Sequence, residues 1–414
     1  MRVGKSASIS PLDFIEALSL ALDLASDGLS AHHTRTAVIA HQIGRELGLG
    51  VPELQTLTYA SLLHDIGAAA SWDEHKLDVN QGQEIYRHAE KGYRLLQHSR
   101  LFGAAAEVIR HHHDPYIGGS PYGFSGEEIP VLSRILILAG SVDVLQAQQK
   151  EAMFETIPRI SRRIQDESGS FLDPTVVTAF LKISRHEGFW LDILTSAYHA
   201  KFIRDLEFNG KVPFASEDML HIAGIFASLV DSGSRFTYHH SHNVAAVAGF
   251  LAEARGLSEE QVRLHKLAGL LHDLGKLAVP NEILEKPGRL DRRECFEVKR
   301  HPYFTLRILQ RVEGFGTVAE WAGNHHEMPN GCGYPFGIKG RELSTGARII
   351  AVADVYSALN ENRPYRFSLD ADAIAGILKT KAKAGELDEK IVADLISRQE
   401  AAQGVLRNQT DMWE

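Results

Sequence analysis

The sequence predicts an all-α protein built from two tandem helical domains. Three observations predict it: apolar residues recur at helical spacing along most of the chain, no hairpin or βαβ pattern interrupts them, and the second half repeats the first. Helical spacing is plain in Ile15, Leu18, Ala21, Leu22 and Ala25, and again in Val244, Val247, Ala248 and Leu251. The repeat is read from Ser61-Leu62-Leu63-His64-Asp65-Ile66-Gly67, which recurs as Gly269-Leu270-Leu271-His272-Asp273-Leu274-Gly275, an offset of 208 residues (272 − 64). The same offset pairs His32 with His240. Further on the offset is 213 (301 − 88), pairing His88 with His301 and His112-His113 with His325-His326, as a five-residue insertion requires. Arg134-Ile135-Leu136 then matches Arg348-Ile349-Ile350, and Ser170-Phe171-Leu172-Asp173 matches Gly385-Glu386-Leu387-Asp388. Repeats of roughly 200 residues are paired domains and not solenoid units. Asn209-Gly210 and Pro213 break the periodicity at the join, so domains are expected at 1–208 and 209–414.

Composition narrows the function classes. The chain has 414 residues, 44% hydrophobic and 23% charged, a globular balance, and its net charge of −9 argues against bulk nucleic-acid binding. Cys295 and Cys332 form no CxxC pair and no disulfide framework, which fits a reducing compartment. Asp13 and Glu16 interrupt any apolar leader, and the longest apolar runs, Ile135–Val144 and Ile222–Val230, fall short of the ~18 residues a membrane helix needs. A soluble, cytoplasmic protein without membrane contact is expected.

The 21 histidines carry the strongest functional signal. In the second unit His240, His272-Asp273, His301, His325-His326 and Asp354 provide five imidazoles and two carboxylates, the donor types of a binuclear site with one bridging carboxylate. His272-Asp273 stands among Leu270, Leu271 and Leu274, where polar groups are costly to bury without a partner such as a metal. His221, His242 and His265 are read as ordinary surface or core histidines. Pro329-Asn330-Gly331-Cys332-Gly333-Tyr334-Pro335-Phe336-Gly337 reads as a long surface loop.

His272-Asp273-Leu274-Gly275-Lys276, the His325-His326-Glu327 run leading to Gly333-Tyr334-Pro335, and Val352-Ala353-Asp354 followed by Arg363-Pro364-Tyr365-Arg366 resemble the HD-GYP family, over about Met219 to Ile396. The resemblance implies an all-helical HD phosphohydrolase that cleaves a cyclic dinucleotide second messenger, chiefly cyclic di-GMP, with an iron or manganese centre. It implies His240, His272, Asp273 and Asp354 as ligands of one metal and Asp273, His301, His325 and His326 as ligands of the other, Asp273 bridging. Some members carry a glutamate four residues before the first ligand histidine and bind a third metal; Phe236 stands there, so two divalent metals are expected. Asn330-Gly331 replaces the family's Asp-Gly, keeping a turn-forming side chain and dropping a charge.

The expected reaction is hydrolysis of cyclic di-GMP to the linear dinucleotide, with further cleavage to mononucleotide left open. Lys276, four residues after His272 and read as one helical turn on, is expected to reach the scissile phosphate. Arg363 and Arg366 offer planar donors for a second phosphate or a guanine edge, and Tyr334 either stacks on a base or anchors its loop. Two alternatives are 3′,3′-cyclic GMP-AMP as main substrate and a non-catalytic cyclic dinucleotide receptor. The Gly-Tyr-Pro loop and the Arg363–Arg366 run oppose a nucleotidase or dNTP triphosphohydrolase. Signalling-protein partners or a homo-oligomer are left open.

The first unit keeps His32, His64, Asp65, His88, His112 and His113, a vestigial metal site. Ala68 stands for Lys276 and Gly140 for Asp354, and Ser120-Pro121-Tyr122 replaces Gly-Tyr-Pro. Asp143, three residues past Gly140, is considered as substitute ligand, and His33 competes with His32 for the first position. A regulatory or structural domain without comparable catalysis is expected.

Overall fold

The computed structural model describes residues 10–25, 31–68, 81–147, 153–195, 198–199, 202–203, 216–232, 239–361 and 368–411. Chain contacts divide into two compact units, Ser10–Pro213 and Phe214–Glu414. The boundary expected at 208/209 falls outside the described residues. Regular structure is helical throughout, and among the described residues only an isolated bridge between Ser168 and Leu172 departs from it. The chain is all-α.

The first unit comprises α1 (Pro11–Ala25), α2 (His32–Glu46), α3 (Val51–Leu63), α4 (Gln81–Leu96), α5 (Gly103–Arg110), α6 (Val131–Ala147), α7 (Met153–Asp166), α8 (Pro174–Ile183) and α9 (Glu187–Leu194). The second comprises α10 (Ser216–Ser232), α11 (His240–Ala254), α12 (Glu259–Leu271), α13 (Asn281–Leu284), α14 (Arg292–Lys299), α15 (His301–Leu309), α16 (Gly316–Gly323), α17 (Thr345–Asn360), α18 (Ala371–Lys383), α19 (Glu389–Ser397) and α20 (Gln399–Asp411). The apolar faces legible in the sequence are the buried ones: Ile15, Leu18, Ala21 and Leu22 of α1 and Val244, Val247, Ala248 and Leu251 of α11 are all inaccessible to solvent or nearly so. No described helix is long and apolar enough to cross a membrane.

Each unit repeats one packing scheme. The helix that opens on the first histidine packs on the helix that ends in His-Asp, α2 on α3 and α11 on α12, and both pack on a long apolar helix, α6 or α17. Side-chain caps set the helix starts. Ser258 Oγ accepts from Gln261 N–H at α12, Ser344 from Ala347 N–H at α17, and Asp388 from the N–H groups of Lys390 and Ile391 at α19. Asp388 also receives Arg348 Nη1 at 2.8 Å, and the first unit pairs Arg134 with Asp173 in the same way.

The glycine after His-Asp positions the site. After α12 the backbone leaves α geometry at Asp273 (φ −96, ψ 5) and enters a 3-10 turn over Leu274–Ala278. A Cβ on Gly275 would lie 2.1 Å from the His301 carbonyl oxygen, and one on Gly67 would lie 2.1 Å from the His88 carbonyl oxygen. Glycine alone lets the turn touch the helix that carries the next histidine.

Candidate metal centre

Candidate ligands converge from helix ends in the second unit. His240 is the first residue of α11, His272 caps the end of α12, His301 opens α15, His325 and His326 follow α16, and Asp354 projects from α17. His240, His272, Asp273, His301 and His325 are each at most 3% exposed. Asp273 stands between two groups: its Oδ2 lies 3.2 Å from His272 Nε2, and its Oδ1 lies 3.2 Å from His301 Nε2. His240 Nε2 is 3.1 Å from Asp354 Oδ1, and His301 Nε2 is 3.2 Å from His325 Nε2. His326 packs edge-on against His301, with ring centroids 5.1 Å apart.

The outward nitrogens are tied down, which turns the inner ones toward the cluster. His272 Nδ1 faces the Gly269 carbonyl at 2.7 Å, His301 Nδ1 that of Val298 at 2.7 Å, and His325 Nδ1 that of Ala322 at 2.6 Å. His240 Nδ1 instead meets Glu361 at 3.0 Å, and Asn243 donates to the same carboxylate. His272 Nε2 is buried with no hydrogen-bond partner, an orphaned nitrogen of the kind a cation satisfies. The donor set therefore fits divalent metals.

Electrostatics follow from burial and these partners. Burial pushes His301 and His326 down to about 3, which keeps both imidazoles neutral with a lone pair free to ligate. Burial also opposes charge on Asp273, but His272, Lys276 and His301 override it and hold the carboxyl well below the usual range. Burial opposes charge on His240 too, yet Glu361 and Asp354 outweigh it and raise the imidazole to about 10. A cation taking His240 Nε2 must displace that proton.

Sequence reasoning gave no role to two residues. Glu361 orients His240 across 121 residues of sequence, and no local motif announces it. Replacing Glu361 with alanine is expected to weaken metal binding by about 10–100-fold, read by metal titration of the folded chain; an unchanged affinity refutes the orienting role. Glu327, only 1% exposed, accepts from the N–H groups of Phe336, Gly337 and Ile338 at 2.6, 3.1 and 2.9 Å and so holds the Gly-Tyr-Pro loop. Its position beside His325-His326 was the available signal. Asn330 keeps the turn, its Oδ1 accepting from Cys332 N–H at 2.9 Å.

Other expectations need adjustment. Lys276 does not lie on a continued α-helix but on the 3-10 turn, from which its Nζ reaches Asp273 Oδ2 at 2.5 Å. Tyr334 packs on His326, ring centroids 4.9 Å apart, with Lys299 Nζ 5.0 Å from its ring. Phe236, Arg363 and Arg366 lie outside the described residues. His265 stacks on Trp321, and His242 faces the Ser228 hydroxyl, both away from the cluster. A cavity of about 460 Å³ opens over the cluster, lined by Lys276, His326, Tyr334 and Asp354 together with the apolar Val298, Val355, Ala358 and Leu359.

In the first unit Asp143 does not take the place of Asp354. It meets His32 Nδ1 at 2.6 Å, the outward nitrogen, and is held by Arg35 at 2.5 Å. That is the role of Glu361, because a side chain three residues further along α6 emerges one turn away from the cluster. His32, His64, Asp65, His88, His112 and His113 are brought together as expected from their pairing with the second unit.

Comparison with known proteins agrees with this architecture. The profile of the family described as HD domain matches residues 16–176 and 224–391. The chain is 31% identical over 379 residues to 3′3′-cGAMP-specific phosphodiesterase 1 of Vibrio cholerae serotype O1, covering 89% of this chain and 86% of that one. It is 29% identical to 3′3′-cGAMP-specific phosphodiesterase 3 of the same organism, covering 87% and 89%. It is 40% identical over 167 residues to the cyclic di-GMP phosphodiesterase response regulator RpfG of Xanthomonas campestris pv. campestris, covering 40% of this chain and 43% of that one. The crystal structure of the V. cholerae cyclic GMP-AMP specific phosphodiesterase V-cGAP3 superposes with a TM-score of 0.69 at 27% identity, covering 96% of this chain and 98% of that one.

Proposed function

This chain belongs to the HD domain family, in its HD-GYP branch, and from that premise we propose that it is a metal-dependent cyclic dinucleotide phosphodiesterase whose second unit carries the reaction. The observation that carries the reading is the Asp273-centred cluster of buried imidazoles opening into a cavity with Lys276 on its wall. His240, His272, Asp273 and Asp354 would hold one divalent cation and Asp273, His301, His325 and His326 a second; the donor set suits iron(II) or manganese(II). Cations held there would lower the pKa of bound water and neutralise phosphate oxygens.

The chain's own residues do the rest. Asp273 spans both ligand groups with one carboxylate, so a single side chain fixes their spacing. The Lys276 ammonium stays charged, since burial would lower its pKa but Asp273 raises it. Its place at the cavity wall suits it to the charge that grows on a phosphate in the transition state. Val298, Val355, Ala358 and Leu359 give the cavity an apolar lining that disfavours water. Arg363 and Arg366 are proposed to meet the second phosphate or a guanine edge, and Tyr334 to bound the base site. The first unit, without counterparts of Lys276 and Asp354, is proposed as a regulatory or structural domain.

Cyclic di-GMP is the main substrate of this reading. The alternative, 3′,3′-cyclic GMP-AMP, is named by the relatives that align along both units. Both are tested together by product formation with protein reconstituted anaerobically with Fe(II) or Mn(II). Binding without turnover under either metal would overturn the enzyme in favour of a receptor. Lys276→Met is expected to lower kcat by about 10²–10³-fold at unchanged metal content; a kcat within threefold of wild type would remove Lys276 from the chemistry.

A further inference from the structure

The first unit lacks counterparts of Lys276 and Asp354, yet its histidine cluster is not in disrepair. Asp65 Oδ2 lies 3.3 Å from His64 Nε2, 3.7 Å from His32 Nε2 and 3.6 Å from His33 Nε2, and His32 Nε2 lies 3.2 Å from His64 Nε2. On the other side Asp65 Oδ1 is 3.5 Å from His88 Nε2, which is 3.4 Å from His112 Nε2 and 3.0 Å from His113 Nε2. Donors bonded at about 2.0–2.1 Å to a tetrahedral cation stand about 3.3–3.4 Å apart. Both halves of the cluster are spaced near that value.

His33 is the unexpected member. It is fully buried, and its Nε2 has no hydrogen-bond partner. Its Nδ1 meets Asp23 at 2.5 Å, which orients the ring and turns Nε2 toward Asp65. The second unit has Ser241 at this position, and its hydroxyl donates to Asp231, the counterpart of Asp23. The same carboxylate thus anchors a serine in one unit and aims an imidazole in the other. His32, His64 and His112 are likewise turned inward, through Asp143, the Ser61 carbonyl and the Ile109 carbonyl.

We propose that the first unit binds divalent cations of its own, bridged by Asp65, with His33 supplying the donor that Asp354 supplies in the second unit. Six imidazoles and one carboxylate make a more nitrogen-rich site than five and two, so it prefers zinc(II) or iron(II) over manganese(II). With Ala68 in the place of Lys276, the site holds metal without hydrolysing a phosphodiester. The inference does not depend on turnover in the second unit.

The test uses the full chain with the second site silenced by Asp273→Ala, stripped by chelation, loaded with zinc(II) or manganese(II), desalted and assayed for metal per chain. About two zinc ions per chain are expected to remain, several-fold more than manganese. Adding His33→Phe should lower retained zinc to about half, and Asp65→Ala should remove nearly all of it. Cobalt(II) loading gives a second readout, because loss of His33 should shift and weaken the visible bands of a tetrahedral centre while circular dichroism and the melting curve report the fold. A folded Asp273→Ala chain retaining no zinc overturns the site, and unchanged zinc and cobalt spectra on His33→Phe overturn the role of His33.

Discussion

Asp273→Ala is expected to lower turnover of the cyclic dinucleotide by about 10³-fold or more, roughly 4 kcal/mol of transition-state stabilisation. Asp273 is the carboxylate shared by both halves of the site: it faces His272 and His301 with different oxygens and receives Lys276 as well. Alanine leaves the five imidazoles without a shared carboxylate and leaves Lys276 without its partner, so both metal positions of the second unit weaken together. The measurement pairs initial rates with metal content at matched protein concentration. Retention of more than a tenth of wild-type turnover would defeat the bridging role. Asp273→Asn separates shape from charge, since it keeps the side-chain volume and removes the negative donor.

Gly275→Ala is expected to destabilise the second unit by about 3 kcal/mol or more, a fall in Tm of roughly 6–12 °C for a unit of about 200 residues. The added Cβ would lie 2.1 Å from the His301 carbonyl oxygen and 2.8 Å from the Thr305 backbone nitrogen, and neither can rotate away as a side chain does. The hydrogen bond from Gly275 N–H to Thr305 Oγ1, at 2.9 Å, would be strained by the same shift. Because His301 is itself part of the cluster, metal content should fall along with stability. Gly376→Ala in α18 is the control: nothing lies within 4 Å of its added Cβ, so it should be neutral or gain up to about 1 kcal/mol. A Gly275→Ala chain that melts within 2 °C of wild type would show that the turn yields.

Much of the site was legible because its candidate ligands are local words in the chain. His272-Asp273 and His325-His326 are adjacent residues at helix ends, and the repeat placed their counterparts His64-Asp65 and His112-His113 without any knowledge of the fold. Glu361 and Asp143 were illegible as orienting groups, since a sequence does not say which nitrogen of an imidazole a distant carboxylate will face. His33 was visible only as a rival to His32; the structure gives each a separate carboxylate, Asp23 or Asp143, and turns both toward Asp65.

The sequence by itself determined that this protein is all-α, duplicated, and supplied with imidazoles and carboxylates in the order of a metal phosphodiesterase. Periodicity, offset and residue type are properties of the chain, so they need no tertiary contact to be read. Only the tertiary structure decided which histidines share a carboxylate, which carboxylates face the cluster and which meet the outward nitrogens, and that the lysine after His-Asp rides a 3-10 turn. Those outcomes depend on helices more than 100 residues apart meeting within hydrogen-bond distance, as His240 meets Glu361 and His32 meets Asp143. Their meeting is set by close packing of the intervening helices, down to the single Cβ that Gly275 does not have.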